Sequence, residues 1–199
     1  LHGKKKRKPS KETLADVDIL LFDIQDVGVR FYTYISTMHY VMMACAEQNK
    51  AIIILDRPNP NGFYVDGPIL KKENSSFIGL HPVPIVHGMT IGEYAKMIIN
   101  EDWLGHELRC KLKVVKCLNY SHAFFYKIPI APSPNLPNMN SIYLYPSLCL
   151  FEGTNVSVGR GTKYPFQIYG SPFSNSKSYL FTPVSGAGSK YPKHKGEIC

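Results

Sequence analysis

The sequence lacks the features that would assign it at once to a membrane, disulfide-rich or zinc-binding class. No apolar run approaches the ~20 residues of a membrane-spanning helix, although 44% of the residues are hydrophobic. The five cysteines form no C-x-x-C pair, and their odd number gives no disulfide framework, so the redox compartment stays open. Zinc-ligand spacings and recognition-helix patterns are also absent. We therefore expect a globular chain with no metal site, no membrane span and no nucleic-acid partner.

Nucleotide-binding fingerprints are missing as well. No G-x-G-x-x-G follows a predicted strand, which disfavours a dinucleotide site. Residues 151–162 (FEGTNVSVGRGT) approach the phosphate-binding pattern G-x-x-x-x-G-K-[ST], but the spacing is one residue too long. Arg160 also stands where that pattern needs a lysine. We expect no cofactor, and the stretch alone leaves a nucleotide site, another polar pocket and a plain turn as alternatives.

The positive charge lies mostly at the two ends of the chain. The net charge is +8; residues 4–8 (KKKRK) supply five positive charges and residues 190–195 (KYPKHK) supply three. We interpret the first run as a solvated surface segment without apolar partners rather than a nucleic-acid patch. The chain begins with Leu1, shows no signal peptide and opens almost on this run. We therefore expect that an N-terminal piece of the natural protein is missing from it.

Strands and helices are predicted in alternation over the first part of the chain. The predicted strands are 18–24, 51–55 and 111–118, and the predicted helices are 33–48 and 91–101. The second helix follows a capping box, with Thr90 as N-cap and Glu93 three residues on. Cys45 lies in the apolar part of the first helix and is expected to fill the core. This order predicts an α/β fold, a parallel sheet with helical crossovers.

The amino-acid composition of the chain changes after residue 118. Four prolines crowd residues 129–137, and the remainder is rich in Tyr, Pro, Ser, Asn and Gly, without a long helical pattern. We expect a linker and then a smaller, irregular α+β domain. The predicted domains are residues 1–127 and 128–199.

Polar side chains collect where the predicted strands end. In an open parallel sheet, ligands bind beyond the carboxyl ends of the strands. The candidate residues there and in the later loops are Asp23, Gln25, Asp26, Arg30, Tyr32, Tyr34, Asp56, Arg57, Asn59, His87, Ser133, Asn135, Glu152, Asn155 and Arg160. Each cluster alone also has an ordinary structural explanation, since Asp, Asn, Pro and Gly build turns. Together they suit a polyhydroxylated ligand that bears a carboxylate, because arginine binds a carboxylate through two hydrogen bonds.

Seven segments occur in one order along nearly the whole chain and resemble the exo-β-N-acetylmuramidase family of peptidoglycan-recycling glycoside hydrolases. They are FDIQDVGVRFYTYIST, LDRPNPNG, VDGPIL, SFIGLHPVPIVHGMTIGEYA, PSPNLP, YPSLCLFEGTNVSVGRGT and PFQIYGSP. The wording IYLYPSLCLFEGTN is similar to the Bacteroidetes branch of that family. By this resemblance, residues 151–162 form a cleft-lining loop and not a phosphate-binding loop.

The resemblance implies a fold, an activity and a location. The fold is a Rossmann-like domain with a smaller C-terminal domain, and the active site lies in the cleft between them. The activity is removal of N-acetylmuramic acid from the non-reducing end of peptidoglycan fragments. Muramic-acid glycans derived from peptidoglycan are then the partners, the location is periplasmic or secreted, and no metal or nucleotide is needed.

The resemblance also ranks the site residues. Glycoside hydrolysis usually needs two carboxyl groups, and Asp23, Asp26 and Glu152 are candidates for one of them, with acid and base left unassigned. The lactyl carboxylate of N-acetylmuramic acid is the expected partner of Arg160 or Arg30. Family members carry an upstream Pro-Glu-His-Gly-Phe motif that is absent here. A non-catalytic glycan-binding module therefore stays an alternative, and a nucleotide-binding Rossmann protein is a less favoured one.

Overall fold

The computed structural model describes residues 7–175 and 178–199. The chain divides into two compact units, Leu1–Tyr126 and Lys127–Cys199. Residues 4–6 of the basic run lie outside the described part. Arg7 and Lys8 are exposed, as predicted, but they do have partners. The Arg7 guanidinium lies 4.7 Å from the centroid of the Phe77 ring, and the Lys8 ammonium pairs with Glu47 at 2.8 Å.

The first unit is built on a three-stranded parallel sheet. Its elements are β1 (Ile19–Phe22), α1 (Tyr34–Glu47), β2 (Ala51–Leu55), α2 (Ile91–Asn100) and β3 (Lys111–Val115), with short 3₁₀ turns at Glu12–Leu14 and Lys72–Asn74. The strand order is β1-β2-β3. Ala51 lies opposite Ile19 on one side and opposite Lys111 on the other. The predicted α/β fold with helical crossovers is confirmed, although β1 and β3 are shorter than predicted.

One face of the sheet forms the core with both helices. Phe22, Ile52 and Ile54 point to this face and are at most 4% exposed, and they pack in one cluster with side chains of α1 and α2 such as Met38 and Ile98. Burial of each such side chain contributes roughly 1.5–3 kcal/mol. Cys45 is fully buried in the same cluster, which confirms its predicted role.

The opposite face of the sheet is open. Ile19 and Leu21 of the edge strand β1 are 53% and 60% exposed, and Val115 of β3 is 45% exposed. Parallel sheets are normally covered on both faces, and their strands are apolar on both sides for that reason. The continuous apolar sequence of β1 and β2 is thus typical of a sheet that is covered on both faces. In the described residues, α1 and α2 cover one of these faces.

Helix α2 begins where it was predicted to begin. The Thr90 hydroxyl accepts from the Glu93 N–H, and the Glu93 carboxylate accepts from the Thr90 N–H at 2.8 Å, so the predicted capping box is present. Such reciprocal capping satisfies two backbone donors that have no partner within the helix.

The described residues of the second unit contain one regular helix, α3 (Met139–Leu148), followed by a 3₁₀ turn at Cys149–Gly153. The expectation that this part lacks a long helical pattern is therefore wrong for ten of its residues. Pro146 lies inside α3 and breaks the sequence pattern, whereas Asn138 and Ser141 form a capping box that starts the helix. Isolated β-bridges, such as the pair Ser157 and Gly170, join the surrounding loops.

None of the helices in the described ranges has the length and apolar content that a bilayer crossing requires.

Candidate active site

The ends of β1 and β2 bring together an exposed ion pair. Because the two strands are parallel neighbours, Asp23 after β1 and Arg57 after β2 emerge at the same edge. The Arg57 Nε donates to Asp23 Oδ1 at 2.6 Å, and both side chains are a little under half exposed. The hydrogen bond to Asp23 raises the pKa of Arg57. The pair therefore places a carboxylate and a guanidinium at the solvent edge of the sheet.

Asp26 is buried three residues further on, with 6% of its surface exposed. Its Oδ2 accepts the Gly28 N–H at 2.7 Å, so the side chain closes a turn over its own loop. Its Oδ1 is buried and has no hydrogen-bond partner among the described residues. Burial raises the pKa of Asp26 to about 7, although the N–H groups of Gly28 and Val27 oppose this rise. Burial thus favours the protonated form of the Asp26 carboxyl at pH values at which an exposed aspartate is ionised.

His87 faces Asp26 from the loop before α2. Its Nε2 lies 3.8 Å from Asp26 Oδ2, and only 1% of the His87 side chain is exposed. The Met89 N–H donates to His87 Nδ1 at 3.3 Å. Burial lowers the pKa of His87 to about 3. The ring is therefore neutral at ordinary pH, and since Nδ1 accepts a hydrogen bond, the ring proton sits on Nε2.

Aromatic rings surround this pair. The Tyr32 and Tyr34 rings meet edge to face with centroids 5.0 Å apart, and the Tyr94 ring lies 4.9 Å from the ring of His87. Burial, together with the charge of Asp26, raises the pKa of both Tyr32 and Tyr94. The environment is apolar enough to disfavour any charged form of these groups.

Two predicted ligand-binding side chains have their polar atoms engaged within the protein. Gln25 donates to the carbonyls of Asp26 and Pro58, each at 2.8 Å. Asn59 donates to the Met89 carbonyl at 2.9 Å and accepts the Asn61 N–H at 2.8 Å. These bonds fix the loops that follow β1 and β2. Their predicted contact with a ligand stays a prediction.

Asp56 holds the start of α2 rather than an open position. Its Oδ1 accepts the N–H groups of Gly92 at 2.8 Å and Arg57 at 3.0 Å. Its Oδ2 accepts the Thr90 hydroxyl at 2.8 Å. A carboxylate at a helix N-terminus is stabilised by the free N–H groups there. Both oxygens of Asp56 thus join the end of β2 to α2.

Arg30 has a similar internal role. Its Nη1 donates to the carbonyls of Pro68 at 2.8 Å and Val83 at 2.6 Å. Partial burial lowers the pKa of Arg30. Of the two arginines proposed to bind a lactyl group, Arg30 is the one tied to backbone carbonyls of two distant segments.

In the second unit, Arg160 meets Glu152. The Arg160 Nη1 donates to Glu152 Oε1 at 2.8 Å, and Nη2 donates to the Gly188 carbonyl at 3.0 Å. The Arg160 Nε is buried and has no hydrogen-bond partner in the described ranges. A cavity of about 230 Å³ opens beside this pair, lined also by Ser157 and Lys193. Within the described part of the chain, the Nε is thus a buried guanidinium donor without a hydrogen-bond partner.

The other candidates of this unit support the same loop. Asn135 donates to the Gly188 carbonyl at 2.8 Å, the acceptor that it shares with Arg160. The Ser133 hydroxyl accepts the Asn135 N–H at 3.2 Å, and the Asn155 carbonyl accepts from His194 at 2.6 Å. Asn155 is thus held through its backbone, and its side chain is exposed.

Residues 151–162 form turns and not a phosphate-binding loop. Gly159 and Gly161 have φ of 74° and 80°, and the Thr162 hydroxyl donates back to the Gly159 carbonyl at 2.6 Å. A phosphate-binding loop leads into a helix, whereas residues 163–175 are described and contain none. The geometry therefore disfavours a nucleotide site at this stretch.

Two buried or half-buried histidine clusters escaped the sequence analysis. His81 bonds the Tyr94 hydroxyl at 3.1 Å and His39 at 3.0 Å, and its ring stacks on Trp103 with centroids 4.4 Å apart. His122 bonds Glu93 at 3.1 Å. These partners lie 13 to 42 residues apart in sequence, so a local sequence pattern does not predict that they are in contact. In the described ranges, no three His, Cys, Asp or Glu side chains are placed to hold a metal ion.

Comparison with known families accounts for both units. The family model described as "Exo-beta-N-acetylmuramidase NamZ, N-terminal" matches residues 1–140, and the model of the C-terminal part of the same family matches residues 143–199.

The chain belongs to the exo-β-N-acetylmuramidase NamZ family.

Individual relatives agree with this NamZ assignment. The chain is 42% identical over 221 residues to the peptidoglycan β-N-acetylmuramidase NamZ of Bacillus subtilis (strain 168), an alignment that covers 100% of this chain and 51% of that protein. A crystal structure of a DUF1343 family protein from Bacteroides fragilis has a TM-score of 0.93 at 55% identity, covering 96% of this chain and 54% of that one. A second such protein of that organism has a TM-score of 0.85 at 31% identity, covering 98% and 55%. The chain thus spans about half the length of the relatives that it matches.

Proposed function

We propose that the protein to which this chain belongs removes N-acetylmuramic acid from the non-reducing end of peptidoglycan fragments. The membership of both units in the NamZ family supports this activity. So does the 42% identity to a protein named a peptidoglycan β-N-acetylmuramidase. The partners are then muramic-acid glycans released from peptidoglycan, the location is periplasmic or secreted, and the reaction serves cell-wall recycling.

The observation that carries the chemistry is the buried Asp26 carboxyl. Cleavage of a glycosidic bond needs an acid that still holds a proton at the working pH, and burial is the usual way to raise the pKa of such an acid. A pKa of about 7 fits Asp26 to this role. We propose that Asp26 gives its proton to the glycosidic oxygen as the carbon–oxygen bond breaks, and that the proton is restored from water.

The second carboxyl group is proposed from the two that carry an arginine partner. Asp23 pairs with Arg57 and Glu152 with Arg160, each within 2.8 Å. Both carboxylates are partly exposed, which suits a group that must meet substrate or water. Asp23→Asn and Glu152→Gln variants then separate the two, since only the true partner of the acid loses turnover by several hundredfold or more.

Arg160 is the proposed reader of the lactyl group. Its Nε is left without a partner beside a cavity, whereas Arg30 is bound to two carbonyls. A lactyl carboxylate that takes this donor gains a charge-assisted hydrogen bond, which contributes about 1.5–3 kcal/mol. The Arg160 Nε, without a hydrogen-bond partner among the described residues, supports this proposal for the lactyl group.

The test compares two substrates on the full-length protein. A chromogenic glycoside of N-acetylmuramic acid and its N-acetylglucosamine analogue differ only in the lactyl ether. Arg160→Ala is expected to lower kcat/KM about ten- to a hundredfold on the muramic-acid substrate while leaving any residual rate on the analogue unchanged. Arg109→Ala is the control, because Arg109 contacts only backbone carbonyls at an exposed turn.

Equal losses on both sugars would reject the role of Arg160. Binding of muramic-acid glycans without release of any sugar would instead favour the alternative, a non-catalytic glycan-binding module.

A further inference from the structure

We propose that His87 is a positioning residue for Asp26. Its Nε2–H donates a hydrogen bond to the Asp26 carboxylate once the carboxyl has given up its proton. This inference rests on the acid role of Asp26 in the proposed function, and it assigns to His87 a task other than contact with substrate.

The hydrogen bonds of the His87 ring show which of its nitrogens carries the proton. The Met89 N–H donates to Nδ1 at 3.3 Å, so this nitrogen holds a lone pair and the single ring proton is on Nε2. Nε2 is buried and has no hydrogen-bond partner among the described residues. It lies 3.8 Å from Asp26 Oδ2. A buried donor without a partner costs free energy, so its position beside a buried carboxyl calls for an explanation.

The Asp26 carboxyl needs a further hydrogen-bond donor when it loses its proton. The Gly28 N–H donates to Oδ2 at 2.7 Å, and the Val27 N–H also lies close enough to favour the charged carboxylate, but Oδ1 has no hydrogen-bond partner within the described ranges. When the proton leaves, a full negative charge remains in an apolar pocket, and such a charge is stable only with further donors. A separation of 3.8 Å exceeds the range of a hydrogen bond. A shift of the carboxyl by about 1 Å brings it within that range.

The other titratable groups that face Asp26 have their own hydroxyl contacts. Tyr32, on the same loop, interacts through its hydroxyl with Tyr34. Tyr94, on α2, bonds His81 at 3.1 Å. His87 therefore differs from both in presenting an N–H that the structure leaves unengaged. The pair is built so that the donor becomes useful only when the carboxyl is charged.

The experiment measures the titration of Asp26 directly. The full-length protein is labelled with ¹³C at the aspartate carboxyl carbons, and Asp26→Asn identifies the signal. His87→Leu removes the donor while keeping an apolar side chain, and it is expected to raise the Asp26 midpoint by about one pH unit or more. His87→Gln places an amide N–H near the position of Nε2 and is expected to keep the midpoint within about 0.3 units of the wild type.

A matched control separates this effect from damage to the core. His39 is 4% exposed, as is His87, and it belongs to the same unit but bonds His81. His39→Leu is expected to lower stability without moving the Asp26 midpoint. Should His87→Leu fail to fold, His87→Asn replaces it, since the shorter amide does not reach Asp26 and is expected to give the same upward shift.

Two results overturn the proposal: an unchanged midpoint in the variant without the donor, or a Gln variant that shifts as far as the Leu variant. The titration needs no substrate, so it is independent of the muramidase assignment. A protein that shows the expected shift but cleaves no glycoside would sustain the Asp26–His87 pairing and reject the proposed function. In an active protein, His87→Leu is further expected to lower kcat more than it changes KM, since the carboxylate forms only as the bond breaks.

Discussion

At the scale of single residues, polar side chains at the strand ends divide into those that build the loops and those that stay available. Asp56 belongs to the first kind, because three donors occupy its two oxygens. Asp23 and Glu152 belong to the second, because each has one arginine partner and open surface beside it. Residue type alone does not separate the two kinds. The difference arises from the number of hydrogen-bond donors that the folded chain places within about 3 Å of each carboxylate.

Asp56→Ala is expected to destabilise the first unit by about 2–3 kcal/mol, because it leaves the Gly92 N–H and the Thr90 hydroxyl without their charged acceptor. Chemical denaturation followed by circular dichroism measures the loss. Asp66→Ala is the control: Asp66 is exposed, and its side chain accepts the adjacent Gly67 N–H, whereas its bond with Val86 is made by the backbone and survives the substitution, so a change within about 0.5 kcal/mol is expected. Similar values for the two variants would contradict the capping role of Asp56.

At the scale of elements, α2 is linked to the chain after β3 through one side chain. Glu93 caps α2 and also bonds His122 Nε2 at 3.1 Å, while His122 Nδ1 lies 2.9 Å from the Gly62 carbonyl. Both ring nitrogens thus face oxygen acceptors, an arrangement that only the doubly protonated ring satisfies. The hydrogen bond to Glu93 accordingly raises the pKa of His122, against a smaller opposing effect of burial.

This linkage predicts a pH dependence of the segment 118–126. A histidine whose pKa is raised in the folded state stabilises that state fully below its unfolded value of about 6.5, and the stabilisation is lost as the pH rises through the folded value. Amide hydrogen exchange in this segment, corrected for intrinsic rates, is expected to quicken as the pH rises above the unfolded value of about 6.5. His122→Gln is expected to abolish the change. His106→Gln, at a histidine whose side chain is 95% exposed, is the control and should leave it intact.

The elements also show which parts of the fold the sequence predicts. The β1–α1–β2 alternation and the Thr90–Glu93 capping box were predicted correctly because both depend on residues a few positions apart. Helix α3 was missed because Pro146 interrupts its pattern, although Asn138 and Ser141 carry a capping signal. The His39–His81–Tyr94 network and the Asp26–His87 pair join segments far apart in sequence. The sequence shows that these histidine, tyrosine and aspartate residues are present, but it does not show that they lie close together, because tertiary packing alone brings them into contact.

At the scale of the whole molecule, the open face of the sheet sets the behaviour of this chain in solution. Ile19, Leu21 and Val115 present exposed apolar side chains, and in the described part of the chain the outer strand β1 pairs with β2 alone. Exposed apolar edges of this kind pair with other chains. The 199-residue chain is thus expected to self-associate through β1.

Leu21→Lys is expected to shift the 199-residue chain toward the monomer in sedimentation velocity, because a charge on an edge strand opposes pairing between edges. It should also reduce the fluorescence of a dye that binds apolar surface. Val65→Lys changes a comparably exposed residue outside the sheet, at 65% against 60% exposure, and is expected to alter neither measurement. Equal effects of both substitutions would mean that general charge, and not the β1 edge, governs association.

The close approach of Gly28 to Asn59 couples two positions in any mutational history of this protein. A Cβ at residue 28 would lie 2.3 Å from the Asn59 amide, and φ of Gly28 is 75°. Shortening Asn59 relieves the overlap but not the backbone strain, which costs a non-glycine residue about 1–2 kcal/mol. Substitutions at these two positions are therefore epistatic: a change at residue 28 is tolerated only after one at residue 59, because the opposite order passes through the overlap. A mutant library that varies either position alone samples only part of the sequences that this loop accepts.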